Sequence, residues 1–89
     1  MAESLTYGLS HLAIAVNDIQ RTMHFYQNVF DMQVMYLKDN LLQLTTPGCN
    51  DILVFEEKQD APIGDSGGIA HFGFRLRKVK DIEVILSSV

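Results

Sequence analysis

Hydrophobic positions along this chain change their period from two to that of a helix and back to two, and each change marks an element boundary. Over residues 9–16 the side chains alternate. Leu12, Ile14 and Val16 fall on one face of an extended segment, and His11, Ala13 and Ala15 on the other. Asn17 or Asp18 can then accept hydrogen bonds from the free N–H groups of a first helical turn. Ile19, Met23, Tyr26 and Phe30 recur at helical spacing, with Gln20, Arg21, His24, Gln27 and Asn28 left for water. The pattern predicts an amphipathic helix over residues 18–30, covering one face of a sheet and closed by Asp31, which tolerates the left-handed conformation better than most residues. Strands over 33–37 and 41–45 follow, joined by a hairpin whose Asp39-Asn40 tip accepts positive φ. A turn from Thr46 through Pro47-Gly48 to Asn50 leads into a strand over 51–56.

Residues 58–67 are rich in Gly, Pro and Asp and read as a linker. Alternation resumes at Ile69. It predicts a strand over 69–76, with His71, Gly73 and Arg75 on one face and Ala70, Phe72, Phe74 and Leu76 on the other, then a helix over 79–87. His11 and His71 occupy the same place in two strand-like segments, SHLAIAV and AHFGFRL, 60 positions apart. Each segment pairs an apolar face with a face of small residues beside one imidazole, so two such faces can enclose a site holding both histidines. The organisation is a βαβββ module over 1–57, a linker over 58–67, and an incomplete second module, one β-α unit, over 68–89. The fold class is α+β, with helices on one face of a mixed sheet.

Composition adds limits. Eighty-nine residues with 47% hydrophobic content suit one small globular unit with a modest core. A net charge of −4 and a pI near 5.1 argue against a nucleic-acid or anionic-membrane surface as partner. Arg75, Arg77, Lys78 and Lys80 cluster near the end, where a solvated strand end and first helical turn account for all but Arg75. The single cysteine, Cys49, follows Pro47-Gly48 and has no intrachain disulfide partner, which fits a reducing compartment. The start MAESLTYG lacks the regions of a signal peptide, and apolar runs are too short to cross a bilayer, so a cytoplasmic location is expected.

The run LSHLAIAVNDIQRTMHFYQNVFDMQV resembles the opening of the vicinal oxygen chelate superfamily, which includes glyoxalase I, bleomycin and fosfomycin resistance proteins, methylmalonyl-CoA epimerase and extradiol dioxygenases. The matching features are His11 on the first strand, Asn17-Asp18 at the helix start, Phe25-Tyr26 on the helix and Phe30-Asp31 at its stop. GGIAHFGFRLRKVKDIEVIL is similar to the start of that family's second module. The resemblance implies a divalent metal (zinc, nickel, iron or manganese) that holds two oxygens of a small-molecule substrate as a Lewis acid. It also implies lyase, transferase or dioxygenase chemistry, or, as in bleomycin resistance proteins, metal-free sequestration of a small molecule. Members normally carry two complete modules, and the last strand of the second supplies a glutamate ligand. Three strands of that pattern are missing here, so the expectation is a truncated piece or a gap filled by a partner chain.

His11 and His71 resemble two of the family's metal ligands by position, and their shared place in the repeat supports the pairing. His24 lies on the polar helix face, as an exposed histidine would. Aligning the strand ending LVFEE with the family's similar ending puts Leu53 at the ligand place, which favours two histidines and a late glutamate. Glu56 remains a candidate ligand. Arg75, two residues beyond His71, is a candidate for an anionic group of a substrate. No catalytic residue is assigned. The half-built second unit leaves apolar faces at Phe72, Phe74, Val79, Ile82 and Ile85 short of partners, and a homodimer is expected.

Overall fold

The first sheet residue arrives at Leu12, after a stretch in which Leu5, Tyr7 and Leu9 stand almost fully in solvent. The computed structural model of the chain describes residues 3–59 and 71–89. Strand β1 (Leu12–Val16) is followed by helix α1 (Ile19–Phe30), strands β2 (Gln33–Lys38), β3 (Leu41–Thr45) and β4 (Leu53–Glu57), a 3-10 turn at Val79–Asp81, and helix α2 (Ile82–Ser87). The four strands form one mixed sheet in the order β1-β4-β3-β2, with β1 and β4 parallel and the remaining pairs antiparallel. This is the expected βαβββ module.

Helix α1 is held at both ends by the residues its sequence offers. The Asp18 carboxylate accepts from the Arg21 N–H at 3.1 Å, and Glu57 Oε2, at the end of β4, accepts from the Ile19 N–H at 3.0 Å. Two carboxylates thus satisfy free donors at the positive end of the helix dipole. At the other end Asp31 sits at φ 56°, its N–H donating to the Gln27 carbonyl at 3.1 Å. Asp39 takes φ 53° in the β2–β3 hairpin. At the next turn the Cys49 N–H donates to Thr46 O at 3.0 Å across Pro47-Gly48, with Gly48 at φ 79° as a type II turn requires.

Packing under α1 explains why these segments stay together. Phe55, Leu42 and Leu44 are fully buried, joined by Leu53 from β4, Ile19 from α1 and Met32 just after it. Met23, Tyr26 and Phe30 complete the helix stripe, partly buried against that core. The Tyr26 ring lies 5.0 Å from Phe55 and 5.8 Å from Phe30, and burial pushes its phenol pKa above the ordinary value. Val29, outside the expected stripe, is also buried.

Two expectations need correction. Strands β1 and β4 begin at Leu12 and Leu53 rather than at residues 9 and 51. The strand expected over 69–76 is absent from its described part: residues 71–76 have no strand assignment. A strand exists only with a neighbour to share its ladder, and this segment is anchored differently. Phe74 stacks on Phe30 at 4.0 Å and lies 6.3 Å from Tyr26, so the segment rests on the helix side by aromatic contact. Ile69 and Ala70 lie outside the described residues, as does most of the linker; Lys58 and Gln59 are tied to the end of β1 through Val16 O and Asn17 O. No helix among the described residues is long and apolar enough to cross a membrane.

Candidate functional site

The sheet has one face under α1 and one face open. Strand parity and register define the open face as two rows that run across all four strands. The first row is Ala13, Val54, Gln43 and Tyr36; the second is Ala15, Glu56, Leu41 and Lys38. Side chains grow from methyl groups at the β1 edge to a phenol and an ammonium at the β2 edge. The result is a surface with its free space over β1. Gln43 is its only side-chain amide, half-buried between apolar neighbours and able both to donate and to accept.

Placement of the sequence candidates on this frame is uneven. His11 precedes β1 by one residue, is exposed, and has Nδ1 2.8 Å from the Ser10 hydroxyl. Glu56 belongs to the open face, level with Ala15, which puts it roughly 13 Å along the strand direction from His11. Its Oε1 lies 3.6 Å from Lys58 Nζ in an exposed ion pair. Leu53 cannot stand at a ligand position, because it points into the core beneath α1, and the residues of β4 that alternate to the other face of the sheet are Val54, itself buried, and half-buried Glu56. His71 and Arg75 are exposed on the segment that Phe74 fastens to α1. His24 is exposed on the outer side of the helix, as its spacing indicates.

Among the described residues no three His, Cys, Asp or Glu side chains converge on a point that could hold a metal ion. The described donors therefore do not by themselves complete a three-ligand set. A three-ligand site needs donors gathered within about 2.0–2.2 Å of one ion. Sequence reasoning missed Gln43, although the alternation in LLQLT, with Leu42 and Leu44 inward, already turns it to the open side. It also missed Glu57, whose role in capping α1 is visible only once β4 is placed.

Comparison with known proteins fits this geometry. The family model for the glyoxalase/bleomycin resistance protein/dioxygenase superfamily matches residues 8–87. The chain belongs to that superfamily. Within it, the chain is 27% identical over 82 residues to a catechol-2,3-dioxygenase of Bacillus subtilis (strain 168), an alignment that takes in 89% of this chain and 29% of the relative. The chain thus spans less than a third of that relative's length. An integron cassette protein from the mobile metagenome of the Halifax Harbour sewage outfall shares the fold, with a TM-score of 0.69 and 20% identity, over 93% of this chain and 68% of its own.

Proposed function

We propose that this superfamily member serves a divalent-metal-dependent enzyme acting on a small oxygen-bearing substrate, which it holds on the open face of its sheet. The observation that carries the reading is the two-row face, small over β1 and polar at Gln43, Glu56 and Tyr36, in a chain similar to a catechol-2,3-dioxygenase. Gln43 and Tyr36 suit hydroxyl or carbonyl groups, and Ala13 and Ala15 leave room for a ring. His11 is the ligand the first strand offers to zinc, nickel, iron or manganese, and His71 is the second. The remaining donor, the family's late glutamate, comes from a longer form of the chain or from a partner chain. Arg75 meets an anionic group of the substrate. The division into a module over 1–57, a linker over 58–67 and a second unit over 68–89 belongs to the same reading, as do a homodimer and a cytoplasmic location. Cys49, exposed and free, is consistent with the last.

A second reading, a metal-free face that sequesters a small molecule, is favoured by one observation: the described donors do not converge. Titrating iron(II), zinc and nickel into wild type, His11→Ala, His71→Ala and His24→Ala separates the two. Loss of most binding in the first two variants, with His24→Ala unchanged, is the expected result. Equal binding by all four proteins rejects the shared histidine site, and no binding by any of them leaves the metal-free reading.

A further inference from the structure

Two hollows flank the aromatic side of α1, on the opposite side of the sheet from the open face. The first, about 310 Å³, lies between the start of the helix and the sheet, with Ile14, Val16 and Phe55 as its floor and Arg21 and Thr22 at its rim. The second is a groove of about 400 Å³ beside α2, walled by Phe30, Phe74, Ile82 and Ile85. Phe25 and Tyr26 line both. Their rings meet edge to face at 5.2 Å, so the two hollows adjoin along the helix and share one aromatic wall.

Polarity runs one way along this path. Arg21 stands at the end nearest the start of α1, and its guanidinium forms no ion pair among the described residues. The carboxylate closest to it in sequence, Asp18, accepts from the Arg21 backbone N–H at 3.1 Å, while the arginine side chain lines the hollow. A cation in the first turn of a helix gains nothing from the dipole, which favours anions there. The Thr22 hydroxyl donates to the Asp18 carbonyl at 3.0 Å, which leaves Arg21 as the free donor at this end. Beyond Tyr26 the walls are aromatic or aliphatic and carry no charge. The helix rises roughly 13 Å from Arg21 to Phe30.

We propose that this path binds a medium-chain fatty carboxylate, its head group on Arg21 and its alkyl chain laid past Phe25 and Tyr26 toward Phe74 and Ile85. Guanidinium pairs with a carboxylate through two parallel N–H···O bonds, a geometry that a neutral head group does not offer. The alkyl chain covers Phe25 and Ile82, both exposed, and each added methylene removes more apolar surface from water. Affinity therefore rises with chain length until the groove is filled. Phe74, Ile82 and Ile85 all belong to the segment after residue 70, so the bound chain also ties that segment to α1. None of these residues belongs to the open face, and the site stands independently of the metal and substrate proposed there.

Calorimetric titration of the full chain with decanoate, butyrate and decanol, all below micellar concentrations, tests the site. Decanoate is expected to bind, and butyrate to bind at least about tenfold more weakly. Arg21→Gln, on the exposed side of α1, is expected to retain the wild-type circular dichroism and to weaken decanoate binding by about tenfold or more while leaving decanol unchanged. Amide exchange across 71–89 is expected to slow when decanoate is added. Equal decanoate affinity in wild type and Arg21→Gln overturns the head-group contact, and equal affinity for butyrate and decanoate overturns the alkyl path. Loss of decanoate binding in Gln43→Ala but not in Arg21→Gln assigns the ligand to the open face and overturns the inference, as does a wild type that binds no decanoate.

Discussion

Helices α1 and α2 start from similar sequence patterns and end in different circumstances. Each follows a strand-like segment that carries a histidine, and each repeats apolar residues at helical spacing. Helix α1 runs for 12 residues, is capped by Asp18, Glu57 and Asp31, and buries Ile19 and Val29. Helix α2 runs for 6 residues, has no side-chain cap and buries nothing; Ile82, Val84 and Leu86 are all largely exposed. The difference is the sheet. Under α1 lie strands β3 and β4 with Leu42, Leu44, Leu53 and Phe55, whereas α2, among the described residues, faces an open groove of about 400 Å³ that Ile82 and Ile85 share with Phe25, Phe30 and Phe74. Amphipathic periodicity states a need for burial, and the supply comes from elsewhere in the chain.

The largest expected effect tests that contrast directly. Phe55→Ala opens a cavity beneath α1 and should cost about 3–5 kcal/mol, enough to unfold a domain this small. Val84→Ala on exposed α2 should stay within about 0.5 kcal/mol. Urea midpoints of the two variants, measured side by side, check the ordering. Equal losses would mean that α2 is as well packed in solution as α1.

Next comes the cap that joins helix to sheet. Asp18→Ala should destabilise by about 1 kcal/mol through loss of the bond to the Arg21 N–H. Glu57→Gln keeps an acceptor for the Ile19 N–H but removes the charge at the dipole, so a loss of about 0.3–1 kcal/mol is expected, shrinking with added salt. A Glu57→Gln effect independent of salt would assign the residue to hydrogen bonding alone.

A third substitution addresses the joint between the two regions. Phe74 stacks on Phe30, and Phe74→Leu keeps an apolar side chain while removing the ring pair, worth about 0.5–1.5 kcal/mol. Amide exchange should accelerate across 71–89 while protection in β3 and β4 is unchanged. Faster exchange in β3 as well would show that residues 71–89 support the sheet.

How far these properties are legible in the sequence follows the same division. Residues 9–56 announce themselves because each local signal agrees with its neighbours: the Asp18 cap, the Asp31 left-handed stop, the Asp39 turn and the alternation of β3 all recur in the structure. Their boundaries drift by two or three residues because alternation continues beyond the point where a partner strand is present. The segment 71–76 alternates just as well, yet alternation specifies only which residues share a face, and pairing needs a second strand. The open face was half legible. Parity put His11, Ala13 and Ala15 together, but the register that makes Glu56, and not Leu53, their neighbour depends on how β1 slides along β4, a choice made by the packing of Leu53 and Phe55 beneath α1.

The smallest expected effect concerns the loop that joins β3 to β4. Asp51 stands between β3 and β4, where its Oδ1 accepts from the Thr46 N–H at 2.7 Å and from the Thr45 hydroxyl at 3.2 Å, and its Oδ2 from the Thr46 hydroxyl at 2.6 Å. Desolvation pushes its carboxyl pKa up, but these bonds to the ionised form outweigh it, and the net shift is downward from 3.8. A depressed folded-state pKa contributes stability that is full above the unfolded value and is lost as pH falls through the folded one. The stabilisation should therefore be intact at neutral pH and fade below about 4, by a small amount because the carboxylate is largely exposed. Asp51→Asn, which cannot ionise, should flatten that part of the acid limb of a stability-against-pH curve while leaving α2 unaffected. An unchanged acid limb would show that the Thr45 and Thr46 contacts hold the turn without favouring the charged form.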